Sequence, residues 1–213
     1  MKENIVDWWH RRRTKTISRG RIQREEMKIK TLSGLCKAKN FGSDKGTTHS
    51  YIDGYYTHEF TPLRYEKLNI VEIGVYFGCS LLMWKSWFRN AEITGVDNKL
   101  LGHNGREYNG IIKIKGDAYS DDIVNNFDDN SIDYLIDDGP HTLASQLTCV
   151  QKYFSKIKLG GKIIIEDVQD CEKAILEFQK LDVIKNSLCT FEVIDLRHIK
   201  NRLDDVLFIL KKV

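Results

Sequence analysis

Proline is almost missing from this sequence, two in 213 residues, and glycine stands at only 15. Neither a collagen repeat nor a Pro-rich disordered chain is therefore open to it. Its five cysteines are an odd number and include no C-x-x-C pair. That argues against both a disulfide framework and a thiolate zinc site, and the thiols are expected to be reduced and mostly buried. Long apolar runs are lacking too: Ile163 to Ile165 and Val206 to Leu210 fall far short of the ~20 residues of a spanning helix. Met1 to Arg13 contains Trp8, Trp9 and three arginines but no apolar run of the kind a secretory signal needs, so the expectation is a cytoplasmic location. No internal repeat or low-complexity tract is visible.

What is present is ordinary globular material, 41% hydrophobic and 30% charged, in a chain long enough for one core to bury roughly 70% of the unfolded surface. The net charge of +3 hides an uneven distribution. Residues 1–40 carry 12 Lys and Arg against 4 Asp and Glu, whereas the remainder carries 21 against 26. The basic cluster, from Arg11 to Lys30, could track a polyanion, but it lacks interleaved aromatics and any nucleic-acid motif. It reads better as a basic helical arm over 1–40 that makes a subunit contact or faces solvent, followed by one domain over 41–213.

From residue 68 onward short β-branched runs alternate with helical patterns, the signature of βα units feeding a parallel sheet in an α/β protein. The predicted strands are Asn69–Ile73, Glu92–Val96, Ile111–Lys115, Ile132–Ile136, Lys162–Ile165, Thr190–Ile194 and Asp205–Leu210. Helices are expected around Ser80–Phe88, Asp121–Asn126, Leu143–Ile157 and Glu172–Leu181. Too little chain separates the last two strands for a helical crossover, so they should form an antiparallel hairpin at the sheet edge.

The first strand runs into Glu72-Ile73-Gly74-Val75-Tyr76-Phe77-Gly78. Glycines at a strand-to-helix turn let backbone approach a ligand closely. The spacing here is E-x-G-x-x-x-G rather than the dinucleotide G-x-G-x-x-G, which disfavours a pyrophosphate cofactor. This loop resembles the first motif of the class I S-adenosylmethionine-dependent methyltransferases. Asp97 ends the second strand where that family places a ribose-binding carboxylate, and Asp117 ends the third where its acidic residue faces the adenine. The resemblance implies a Rossmann-like seven-stranded methyltransferase sheet, mostly parallel, with helices on both faces. It implies S-adenosylmethionine as cofactor, with Glu72, Gly74, Gly78, Asp97, Asp117 and Asp137 on the cofactor side.

The fourth strand ends in Asp137-Asp138-Gly139-Pro140-His141 and the fifth in Glu166-Asp167. If these strands are neighbours, ~4.8 Å apart, their carboxylates converge at one sheet edge and repel unless a cation joins them. Oxygen ligands of this kind suit Mg²⁺. The pair of segments resembles the magnesium-dependent sugar O-methyltransferases of macrolide biosynthesis, a branch related to proteins labelled cephalosporin hydroxylases. That resemblance implies Asp138, Glu166 and Asp167 as metal ligands and His141 as catalytic base. Gly42-Ser43-Asp44-Lys45-Gly46, with His49, Tyr51 and Tyr55, is similar to the branch's G-T-D-K-G…H-x-Y element, which implies a cofactor contact for Lys45 and substrate-side places for His49, Tyr51 and Tyr55. Pro140 departs from the branch's small polar residue, as does Val168-Gln169-Asp170-Cys171 from its hydroxyl and aromatic residues.

The residue types support the same chemistry: a metal acidifies a bound hydroxyl and a nearby imidazole removes its proton. The expected activity is therefore transfer of a methyl group to a sugar hydroxyl, in particular of a deoxyhexose such as rhamnose, on a glycan or glycoside. A catechol or phenol acceptor is the alternative. A nucleic-acid-binding module driven by the basic arm is a third reading from another class.

Overall fold

A computed structural model describes residues 29–99 and 110–213. Most of the basic arm thus lies outside the described residues, and its described end is the helix α1 (Leu32–Lys39), capped by the Thr31 hydroxyl accepting from the Gly34 amide. Leu32 and Leu35 are fully buried, packed into the same core as the first strand. The chain is therefore part of the domain from about Leu32 rather than from residue 41. After the short helix α2 (Asp44–Thr47) comes a π-helical turn over Ile52–Tyr56.

The sheet has seven strands: β1 (Asn69–Ile73), β2 (Glu92–Asp97), β3 (Ile111–Lys115), β4 (Ile132–Asp137), β5 (Ile157–Ile165), β6 (Cys189–Asp195) and β7 (Val206–Lys212), in the order β3-β2-β1-β4-β5-β7-β6. Strands β1 to β5 run parallel, while β7 inserts antiparallel between β5 and β6. The expected mixed sheet is present, with the hairpin at its edge. The clearest difference lies between β4 and β5. The helical pattern from Leu143 does not continue to Ile157: α4 (Leu143–Tyr153) gives way to a 3₁₀ turn, and Ile157 opens β5 opposite Ile132. Ile157 is fully buried there, so tertiary pairing overrides the local helical period.

Apolar side chains fill both faces. One core joins α1, the Ile52–Phe60 segment and α3 (Cys79–Trp87) to the sheet. The other joins α4 and α5 (Cys171–Phe178). Because β2 and β3 lie to one side of β1 and β5 lies beyond β4, the order in which successive strands are added reverses between β1 and β4, which themselves run parallel. A parallel sheet opens a crevice at such a switch point, beyond the carboxyl ends of its strands. All five cysteines are unpaired, three of them buried. Among the described residues no helix is long and apolar enough to cross a membrane.

Gly74 fixes how tightly the first loop can close. Its φ is +86°, and a Cβ added there would stand 1.8 Å from the Asp138 carbonyl oxygen. Gly42 also has positive φ, +75°, but open space around it. Gly74→Ala should therefore cost about 2–4 kcal/mol in chemical denaturation, against about 1 kcal/mol for Gly42→Ala, where backbone strain acts alone. Equal losses in the two variants would show that the contact with Asp138 yields freely.

Candidate active site

The crevice is a cavity of about 670 Å³, within the size range of small-molecule sites. Its walls come from the ends of β1 to β4: Gly74 to Phe77, Asp97, Asp117 and the loop Asp138 to His141. Asp97 organises the first loop. Its Oδ2 accepts from the amides of Val75 (2.8 Å) and Tyr76 (3.0 Å), and its Oδ1 from that of Lys99 (2.8 Å). This holds Tyr76 at φ 45°, a left-handed conformation that a non-glycine residue adopts at a cost. Asp117 Oδ1 accepts from the Tyr119 amide at 3.0 Å.

Asp137 and Glu72, implied on the cofactor side, lie behind the cavity wall. Both are buried and neither lines the cavity. The Asp137 carboxylate accepts from the Tyr119 hydroxyl at 2.7 Å, and burial raises its pKa to about 6. Glu72 Oε2 accepts from Trp84 Nε1 at 3.0 Å, and burial raises its pKa too. They brace the cavity wall from behind.

The carboxylates of β4 and β5 do converge. Asp137 pairs with Ile165, and the Glu166 amide donates to the Asp137 carbonyl at 3.0 Å, so Asp138 and Glu166-Asp167 leave the sheet side by side. His141, at φ 57°, and Asp167, at φ 56°, both take left-handed backbone. That geometry brings His141 Nε2 to 3.1 Å from Asp138 Oδ1 and 3.2 Å from Asp167 Oδ2. The hydrogen bond with Asp138 is the main cause of a raised His141 pKa, while burial opposes it. Ligand atoms of Asp138, His141 and Asp167 all lie within 4.8 Å of one another, and the two carboxylates are the hard oxygen donors that fit Mg²⁺.

Glu166 faces the other way. Fully buried, it accepts from Lys45 Nζ at 2.5 Å on Oε2 and from the Tyr56 hydroxyl on Oε1. Lys45, expected against the cofactor, is itself 1% exposed. Its ammonium also meets Asp138 Oδ2 at 2.5 Å and Glu72 Oε1 at 3.1 Å. Burial works against the charge, but Asp138, Glu166 and Glu72 outweigh it and hold the Lys45 pKa well above its ordinary value.

The three residues expected on the substrate side are buried. Tyr51 brings its hydroxyl within 2.7 Å of Asp167 Oδ1 and accepts from the Asp167 amide at 3.1 Å. His49 stacks on the Tyr51 ring and sets Nδ1 3.3 Å from the same carboxylate oxygen. The Tyr55 ring packs near the Lys162 ammonium instead. The sequence reading passed over Tyr56, Trp84, Tyr119 and Gln146. The last donates to the Glu166 carbonyl at 3.1 Å and ties α4 to the end of β5. Tyr56 carried a usable signal, since it closes the His49 to Tyr56 aromatic run.

A glycine turn after β1, an acidic cap on β2 and a seven-stranded sheet with β7 reversed define the class I methyltransferase fold. The solved MycE methyltransferase from the mycinamycin biosynthetic pathway, in complex with Mg and SAH, superposes with a TM-score of 0.63 over 85% of this chain and 54% of that one, at 24% identity. Residues 71–168 match the family model described as methyltransferase domain. The 8-demethyl-8-alpha-L-rhamnosyl tetracenomycin-C 2'-O-methyltransferase of Streptomyces olivaceus is 34% identical over 147 residues, 65% of this chain and 38% of that protein. The mycinamicin VI 2''-O-methyltransferase of Micromonospora griseorubida is 30% identical over 125 residues, 54% of this chain and 30% of that protein. The chain thus spans less than half the length of these curated relatives.

Asp97→Ala would strand the amides of Val75, Tyr76 and Lys99. The variant should lose about 1–3 kcal/mol in chemical denaturation with no ligand present. Wild-type stability in that variant would mean that the loop holds its shape without the carboxylate.

Proposed function

We propose that the chain is an S-adenosylmethionine-dependent O-methyltransferase acting on a sugar hydroxyl, with Mg²⁺ held at Asp138 and Asp167. The observation that carries this reading is His141 Nε2 set between those two carboxylates on the wall of the cavity. The names of the relatives, sugar O-methyltransferases of polyketide glycosides, support the acceptor class. A deoxyhexose with neighbouring hydroxyls, rhamnose among them, fits a site that binds oxygen through a hard cation.

When bound, S-adenosylmethionine supplies an electrophilic methyl group and Mg²⁺ makes an acceptor hydroxyl more acidic. Everything else falls to the chain. The Gly74 to Gly78 turn gives the cofactor close backbone approach, with Asp97 on the ribose side and Asp117 on the adenine side. Asp138 and Asp167 orient the acceptor, and His141 Nε2 receives the hydroxyl proton. With no cation on the two carboxylates, that nitrogen donates its own proton to them. It becomes a base once their charge is taken up elsewhere. Holding oxygen, methyl carbon and sulfur in line is the remaining task, which the rigid strand ends perform.

Two measurements test this reading. Methyl transfer to a rhamnoside, followed with a radiolabelled methyl group, should stop on chelation with EDTA and return with Mg²⁺. Full activity after rigorous chelation would remove the metal, and transfer only to catechols or RNA would remove the sugar. His141→Ala should lower turnover roughly 10²–10⁴-fold with cofactor affinity in calorimetry nearly unchanged. Parallel loss of both would make His141 structural.

A further inference from the structure

Lys45 occupies the centre of the carboxylate cluster. An ammonium has three N–H donors and no acceptor, and three carboxylates surround this one: Asp138 Oδ2 and Glu166 Oε2 at 2.5 Å each, and Glu72 Oε1 at 3.1 Å. Lys45, Glu72 and Glu166 are each 1% exposed or less. Water therefore does little to screen either the attraction or the repulsion among the three carboxylates. Glu166 is fixed from its other side by Tyr56, and Glu72 by Trp84. The cation thus stands between two of the carboxylates that the sequence motifs point to as metal ligands.

We propose that Lys45 is a positioning residue, the built-in counter-cation of the site, whose charge holds Asp138 and Glu166 together before any metal arrives and sets how tightly a divalent cation binds beside it. The inference rests on the Mg²⁺ reading above. It accounts for a lysine buried at a sheet edge with none of its charge directed to solvent. It also separates two duties that one cation would otherwise share. Lys45 neutralises the interior side of the cluster, against Glu72 and Glu166. The outer side, Asp138 and Asp167 around His141, is left for an exchangeable cation. Removing the lysine charge should make the cluster more anionic, so that it both attracts Mg²⁺ more strongly and depends on it. Removing the Glu72 charge, which touches no metal-ligand candidate directly, should act in the opposite sense.

The test uses the full chain as wild type, Lys45→Met and Glu72→Gln, with Mg²⁺ affinity by calorimetry and thermal melting in EDTA and in Mg²⁺. Lys45→Met should bind Mg²⁺ roughly tenfold more tightly and Glu72→Gln roughly tenfold more weakly than wild type. Lys45→Met should also melt well below wild type in EDTA and recover in Mg²⁺, a rescue that a purely packing role would not produce. Equal affinities in all three chains, with melting of Lys45→Met indifferent to Mg²⁺, would overturn the inference and leave the metal reading standing. Binding to Lys45→Met but not to wild type would overturn both, because Lys45 would then stand in place of the metal rather than beside it, and no binding to any chain would likewise end both. Should Lys45→Met fail to fold in either buffer, Glu72→Gln decides: weaker binding supports the counter-cation, and unchanged binding overturns it.

Discussion

Parallel pairing of β4 with β5 is the constraint on which the site depends. It sends Asp138 and Glu166-Asp167 off the sheet at one edge, beside Glu72 from β1, and so concentrates negative charge where a folded protein can least tolerate it. Much of the surrounding structure answers that concentration. Lys45 enters from α2, Tyr51 and Tyr56 descend from the π-helical turn, Trp84 reaches across from α3, and Gln146 ties the β5 end to α4. The elements before β1 are therefore part of the acidic end of the sheet, because they bring its donors.

The same arrangement divides the crevice into two halves with different physics. The half along β1 to β3, proposed for the cofactor, is backbone: a glycine turn, amides gathered by Asp97, and an open wall along the ends of β2 and β3. The half at β4 and β5, proposed for the acceptor, is charge: two carboxylates and an imidazole over a buried ionic layer. A sulfonium cofactor needs shape and close approach, whereas an unreactive hydroxyl needs an electrostatic field and a base.

The sheet was legible because each strand is a short β-branched run and each helix carries its own period. The β1 and β3 limits agree with the prediction residue for residue. The convergence of the two acidic segments was legible too, since it requires only that β4 and β5 be adjacent. The roles inside the cluster were harder to read. Tyr55 was placed on the substrate side by motif resemblance alone, and Tyr56 was passed over; the Ile52–Tyr56 turn is a π-helix, whose wider turn carries Tyr56, five residues from Tyr51, round to Glu166. Periodicity arguments assume 3.6 residues per turn and miss one inserted residue. The contacts of Lys45 were illegible for another reason: Asp138 and Glu166 are 93 and 121 residues away, and no local pattern encodes them.

Gly74 sits against the Asp138 carbonyl with no side chain between them. Where two loops meet through side chains, a rotamer can absorb a displacement; where they meet through backbone alone, it is passed on whole. The glycine turn and the acidic loop therefore form a single rigid jaw. Its gauge is set by covalent geometry, so in the proposed reaction the spacing between methyl donor and acceptor oxygen would be built into the chain rather than found anew with each ligand.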